Sequence, residues 1–205
     1  LNSHMMNNHE WGAVAYLSKS QYGAESEVWN NSFKDYVSGC SGSNVDASNE
    51  TICVEYNTVN GVKASTTHNI YGVYDMSGGS YENVMACYNN LYIGLNSVES
   101  KYMTRYAMQE SEFHNGVGMG YDPSIYGDAV YETSFDGYRY GGVPIGNTLN
   151  SWHSDRSYFP YINYPCFHRG GKLDNGILAG VFHYYRNDGA ANVYRTFRPI
   201  LTPLS

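Results

Sequence analysis

The chain has 205 residues, 12 basic against 19 acidic, for a net charge of -7, and only 15% of its residues are charged. Length and the lack of any linker-like run point to one domain with a real core. The scattered basic residues exclude an electrostatic nucleic-acid footprint, and no apolar run reaches the roughly 18 residues needed to span a bilayer. With 22 Gly, 22 Tyr and abundant Asn, the surface is built from neutral hydrogen-bonding groups more than from ion pairs.

In chain order, Leu1–Met5 (LNSHM) reads as an expression-tag remnant, and residues 6–205 as the natural domain. Asn7 or Asn8 is placed to cap a helix in which Trp11, Val14, Ala15 and Leu17 keep i, i+3, i+4 spacing, with a stop near Tyr22-Gly23. Cys40 and Cys53 bracket a Gly/Ser/Asn loop that a disulfide would close in an oxidising compartment; Cys87 and Cys166 complete the four cysteines. The alternative is four buried thiols in a reducing one. A second helix is expected from Ser80, with Tyr81, Val84, Met85 and Tyr88 on one stripe, and a third over Ser97–Glu112. From Tyr121 onward glycine and aromatic residues crowd together. Short strands are expected at Ala129–Thr133, Cys166–Arg169, Gly180–Tyr185 and Tyr194–Arg198, joined by long loops of the kind that usually carry function.

The most specific stretch is HNIYGVYDMSGGSYENVM, His68–Met85. It resembles the G-N-V-Y-D-M-x-G-N-V-W-E-W signature of the formylglycine-generating-enzyme and sulfatase-modifying-factor family. Phe167-His168-Arg169-Gly170-Gly171 looks like that family's R-G-G-S-W strand, Tyr194–Pro199 like its closing G-F-R-x-V strand, and EWGAVAYL like the preceding helix. The resemblance implies an α+β domain of C-type lectin-like fold, with few short helices, short antiparallel strands, much irregular structure and neighbouring termini. The family's reactive cysteine pair follows the R-G-G strand, where this chain reads GGKLDNGILAG without cysteine. The resemblance is therefore closer to a non-catalytic, ligand-binding branch. That branch includes the variable proteins of diversity-generating retroelements, phage receptor-binding tips, and lectin-like domains fused to pilin-like anchors in gut Firmicutes.

Residue chemistry points the same way. Tyr offers a large amphipathic contact area with two torsions to freeze, and Asn, Ser and Gly add adaptable hydrogen bonds, as in antibody paratopes. The candidate ligand-binding set is Tyr158, Tyr161, Asn163, Tyr164, His168, Lys172, Asn175, His183, Tyr185, Asn187, Asn192 and Tyr194. In AGVFHYYRNDG, Val181 or Phe182 would face the scaffold, and His183 and Tyr185 an exposed recognition surface. The competing reading is that Tyr replaces Phe throughout a wet core.

No catalytic set stands out. His9, His68, His114, His153, His168 and His183 show no zinc spacing, WHSDRS merely sets Ser, His and Asp side by side, which is not how triads are built, and no carboxylate pair is prominent. In YDMSGGSYE, the resemblance places a calcium ion on Asp75, Gly78, Ser80 and Glu82, where a tight Gly-Gly turn gathers oxygens around a hard cation. The alternative is that Asp75 or Glu82 caps a helix. The expected function is an adhesin or receptor-recognition module for an unknown protein or glycan ligand, held at a cell or virion surface by a further segment. The alternative is an enzyme of the broader superfamily with altered chemistry.

Overall fold

In the computed structural model the described residues are 2–30, 55–88, 102–106, 127–130, 132–133, 152–158, 160 and 164–203. The first helix follows from local chemistry. Strand β1, Asn2–Met5, leads into α1, Asn8–Ser18, and Asn7 is its N-cap. Asn7 Oδ1 accepts from the Glu10 amide at 2.9 Å while Glu10 Oε2 accepts from the Asn7 amide at 2.8 Å, a closed capping box. Trp11, Gly12, Ala15 and Ser18 form the buried stripe, whereas Leu17 points outward. The helix ends at Ser18, earlier than Tyr22-Gly23.

Residues Tyr81–Tyr88 are a strand, β2, and not the expected helix. Glu82, Val84 and Ala86 are buried while Tyr81, Asn83 and Met85 are half-buried, the alternation of a pleated strand. The eight residues satisfy both periods. Pairing decides between them, because β2 has neighbours on both edges. Along one edge runs β4, Cys166–Gly170, antiparallel with Glu82 opposite Arg169 and Cys87 opposite Cys166. Along the other lie two short parallel strands: β6, Arg195–Phe197, beside Tyr81–Asn83, and β3, Thr104–Tyr106, beside Ala86–Tyr88. Residues 102–106, a turn leading into β3, stand where the third helix was expected; the rest of that span lies outside the described residues, as do Cys40 and Cys53. Strand β5, Gly180–Asn187, completes the sheet by pairing antiparallel with β4. Ala129–Val130 and Glu132–Thr133 form turns instead of a strand.

The termini meet in a separate two-stranded sheet, β1 against β7, Pro199–Thr202, with Asn2 opposite Thr202. The segment expected to be a tag remnant is thus a paired strand. The architecture is α+β. One sheet face carries Val84, Phe167, Phe182 and Tyr184 into a core with Met6, Trp11, Ala15 and Met76. Trp11 Nε1 donates to the Val181 carbonyl at 2.7 Å, fixing the helix on the sheet.

Arg169 is fully buried beneath this face. Its guanidinium donates to Asn8 Oδ1 at 3.0 Å and to the Asp128 carbonyl at 3.3 Å, and lies over the rings of Trp11 and Tyr184. It therefore ties α1, β4 and the 127–130 turn together through charge-assisted bonds and ring contacts. Gly170 and Gly171 follow at φ +80 and +79, where a side chain is strained, and a Cβ on Gly171 would stand 2.6 Å from that of Ala179. The Arg-Gly-Gly motif is thus a buried anchor followed by a left-handed turn. Among the described residues, no helix is long and apolar enough to cross a membrane.

Candidate ligand-binding face

The opposite face of the sheet carries Tyr81 and Asn83 from β2, His168 from β4, and His183, Tyr185 and Asn187 from β5, all brought into line by the registers Asn83 to His168 and His168 to Tyr185. Tyr81 stacks on His168 with centroids 3.9 Å apart, and His168 lies 5.3 Å from Tyr185 in a nearly parallel arrangement.

Three expectations for this face need correction. His168 is 1% exposed, His183 0% and Asn187 2%, so none presents a side chain to an incoming ligand. The cover is the connection between β4 and β5. After the Gly170-Gly171 turn, the 3-10 segment Leu173–Leu178 folds back over the sheet and its Leu178 carbonyl accepts from His183 Nδ1 at 2.7 Å. With Nδ1 protonated, His183 is a neutral tautomer whose Nε2 is buried without a partner among the described residues. Burial pushes its pKa down to about 3 and holds that of His168 well below the ordinary value, aided by the neighbouring His183. Tyr81 meets the Asn175 side chain, and burial raises its hydroxyl pKa. Asn187 instead braces the sheet and the next turn. Its Oδ1 accepts from the Gly189 amide at 2.7 Å and its Nδ2 reaches Asn83 Oδ1 at 3.5 Å.

The remaining expected residues surround this buried floor. Tyr185 is half-buried, with the Arg156 guanidinium 5.6 Å above its ring and Tyr158 edge-on at 4.9 Å. Arg186 lies over Tyr158 at 5.1 Å and over Tyr164, itself exposed, at 6.0 Å. Across the face the Lys172 ammonium sits 4.8 Å from the centroid of the exposed Tyr194 and pairs with Asp174. Asn175 holds the turn by accepting from the Lys172 amide at 2.9 Å, and the Asn192 carboxamide accepts from the Tyr194 amide at 3.0 Å. Tyr161 and Asn163 lie outside the described residues. Sequence reasoning missed Arg156 and Arg186, which interleave with the tyrosines; their signal was their place beside them in RSY and YYRN.

A neighbouring device carries the scaffold. Asp155 is 1% exposed, its Oδ2 accepts from the Phe182 amide at 2.9 Å, and burial raises its carboxyl pKa well above the ordinary value. Gly180 makes room for it, since a Cβ there would lie 2.1 Å from the carboxylate oxygens. In the preceding turn His153 and Ser154 hold φ of +63 and +70. Ser154 and Asp155 therefore serve the turn and the strand, and His153, whose pKa burial lowers, stacks against Phe182.

Of the four residues expected to hold calcium, Glu82 is engaged by the protein itself. Arg198 donates from Nε to Glu82 Oε2 at 2.9 Å and from Nη2 to Glu82 Oε1 at 2.6 Å, and Nη2 also reaches the Tyr74 and Asp75 carbonyls. Both carboxylate oxygens thus face a guanidinium, whose charge opposes a second cation. The Gly78 amide donates to the Gly170 carbonyl, so the Gly-Gly turn locks onto the Arg-Gly-Gly turn. As arranged, the Glu82 carboxylate forms an internal ion pair with Arg198. Among the described residues no cluster of three or more His, Cys, Asp or Glu side chains is placed to hold a metal.

No protein-family model matches the chain, and comparison with curated proteins gives no match.

Proposed function

We propose that the protein is a non-catalytic ligand-binding module, of C-type lectin-like type, that recognises a protein or glycan through the rim around the β4–β5 face. The supporting observation is the contiguity of Tyr164, Arg186, Tyr158, Tyr185 and Arg156, a run of three rings and two guanidiniums linked at 4.9 to 6.0 Å. Tyr and Arg are the residue types in which binding energy concentrates, and their rings and forks are held here before any ligand arrives. The rim stands on a sheet whose histidines are buried and neutral, so the platform is rigid where the ligand would press. On this reading Lys172, Asn192 and Tyr194 form the far side of the recognition patch. Display at a cell or virion surface belongs to the same proposal.

The test is a screen on a glycan array and against intact cells, followed by Arg156→Ala, Tyr185→Ala and Tyr194→Ala on whatever binds. Loss of binding of tenfold or more in the single variants, with unchanged melting, supports the reading. Binding undisturbed by all three variants would place recognition elsewhere.

A further inference from the structure

Two cysteines that serve neither the core motif nor the rim stand directly across from each other. Cys87 of β2 is the register partner of Cys166 of β4, at the point where the pairing shifts beyond Val84. Directly opposed residues in an antiparallel ladder have Cα atoms about 4.5 or 5.5 Å apart, depending on whether the pair is hydrogen-bonded. Both values fall within the span of roughly 4.4–6.8 Å that a disulfide bridges. The geometry points to a cross-strand disulfide site between Cys87 and Cys166, formed by exchange with a small-molecule or protein disulfide.

Both residues are in the thiol form, Cys87 buried and Cys166 half-buried. Their unequal exposure orders the reaction. Cys166 is among the residues lining a cavity of about 410 Å³ whose wall is mostly apolar, with Met5, Val84, Met85, Met103 and Phe167 beside it. A disulfide reagent reaches Cys166 first. The Cys166 thiolate attacks one sulfur of RSSR, expelling RS⁻, which takes up a proton. The Cys87 thiolate then attacks the Cys166 sulfur of the mixed disulfide and expels the second RS⁻. Two protein S–H bonds and one external S–S bond are exchanged for one internal S–S bond and two RSH, and two electrons pass from the protein thiols to the reagent. Burial lifts the Cys166 thiol to about 11, and a charge at Cys87 adds to that rise, so the first step is slow at neutral pH and faster in mild alkali. The closed bond would staple the middle strand of the sheet to the edge of β4, linking two segments far apart in sequence.

The experiment holds the full chain with excess oxidised glutathione at mildly alkaline pH until no further change occurs. Remaining thiols are then blocked, and the unreduced protein is digested and mapped. The expected result is a Cys87 peptide joined to a Cys166 peptide, with a higher melting temperature than the reduced protein. Cys87→Ser should stall with glutathione on Cys166, and Cys166→Ser should leave Cys87 unmodified. Wild-type protein in which both thiols remain blockable, in which glutathione persists on Cys166, or in which either residue is joined to Cys40 or Cys53, would overturn the assignment. The wild-type map decides even if a variant fails to fold.

Discussion

His183 shows how a single burial changes what a residue is for. The sequence places it beside Tyr185 on an exposed recognition surface, yet it sits under the β4–β5 connection at 0% exposure. His183→Ala is therefore expected to lower stability by about 2–4 kcal/mol, as a buried large-to-small change does, whereas Tyr185→Ala at the half-buried rim should stay near 1 kcal/mol. Urea unfolding of the two variants separates them, and equal small losses would return His183 to the surface. The same burial fixes a pH dependence. An unfolded histidine takes up its proton near pH 6.5, while native His183 resists until about pH 3. Between those values the unfolded state binds more protons, so stability falls as pH is lowered, by up to about 1.4 kcal/mol per pH unit for each such histidine. Asp155, whose carboxyl pKa burial raises, works in the opposite direction over part of the range. The measurement is thus the slope difference between wild type and His183→Asn; an identical slope would show that His183 titrates normally. At Glu82 the carboxylate's role is to hold Arg198, so Glu82→Gln should cost about 1–3 kcal/mol. Chelator should leave both melting curves unmoved. A chelator-induced drop in the wild type that Glu82→Gln abolishes would reinstate a cation at this site.

The β4–β5 hairpin depends on its left-handed glycine turn more than on its strands. Gly171 has φ +79, and a Cβ would lie 2.8 Å from Ala179 Cα and 3.2 Å from His183 Nδ1. Gly171→Ala should combine backbone strain with overpacking, for a loss of about 2–4 kcal/mol, and should displace the cover from His183. Histidine ring NMR shifts, read beside the melting curve, report both effects; an unchanged spectrum would show that the cover does not depend on the turn. This is also where legibility in the sequence divides. Helix α1 could be read because its cap, Asn7 with Glu10, and its stripe are local. Strands β4, β5 and β6 could be read from short aromatic and β-branched runs between glycines. β2 could not, because Tyr81, Val84, Met85 and Tyr88 fit a helix while Glu82, Val84 and Ala86 fit a strand, and only partners distant in sequence choose between them. The placement of Tyr81–Tyr88 between Arg169 and Phe197 was nevertheless legible, since the family-like motifs set the order of neighbours without setting their conformation. The rim tyrosines were legible by type. The burial of His168 and His183 was not, because the segment that covers them is recognisable as a cover only once the Gly170-Gly171 turn reverses the chain.

At the scale of the whole molecule, the chain ends are structural parts. β1 pairs with β7 over four residues, and the next residue, Met6, donates its amide to the Arg198 carbonyl while its own carbonyl accepts from Met85. The N-terminal segment thereby joins the closing strand to β2, between the stretches of β2 that pair with β6 and β3. His4 adds a contact to Glu10 Oε1 at 2.8 Å and stacks on Tyr102 at 3.7 Å, so the carboxylate that closes the α1 capping box is held from two directions. Deleting residues 1–5 removes β1, the His4 contact and the Met5 wall of the cavity near Cys166, while it leaves Met6 and the cap itself in place. The β7 edge, with Leu201 already exposed, would lose its partner and become open to pairing with another chain. A chain beginning at Met6 should accordingly be less stable by about 1–3 kcal/mol and more prone to self-association, because several ladder bonds, each worth roughly 1 kcal/mol net, are lost together. Melting and light scattering of the two forms measure this. If residues 1–5 contribute nothing, the forms should agree within about 0.5 kcal/mol, as for a change at an ordinary exposed site, and remain equally monodisperse. A clear loss would show that the two ends of the chain close the domain by pairing with each other.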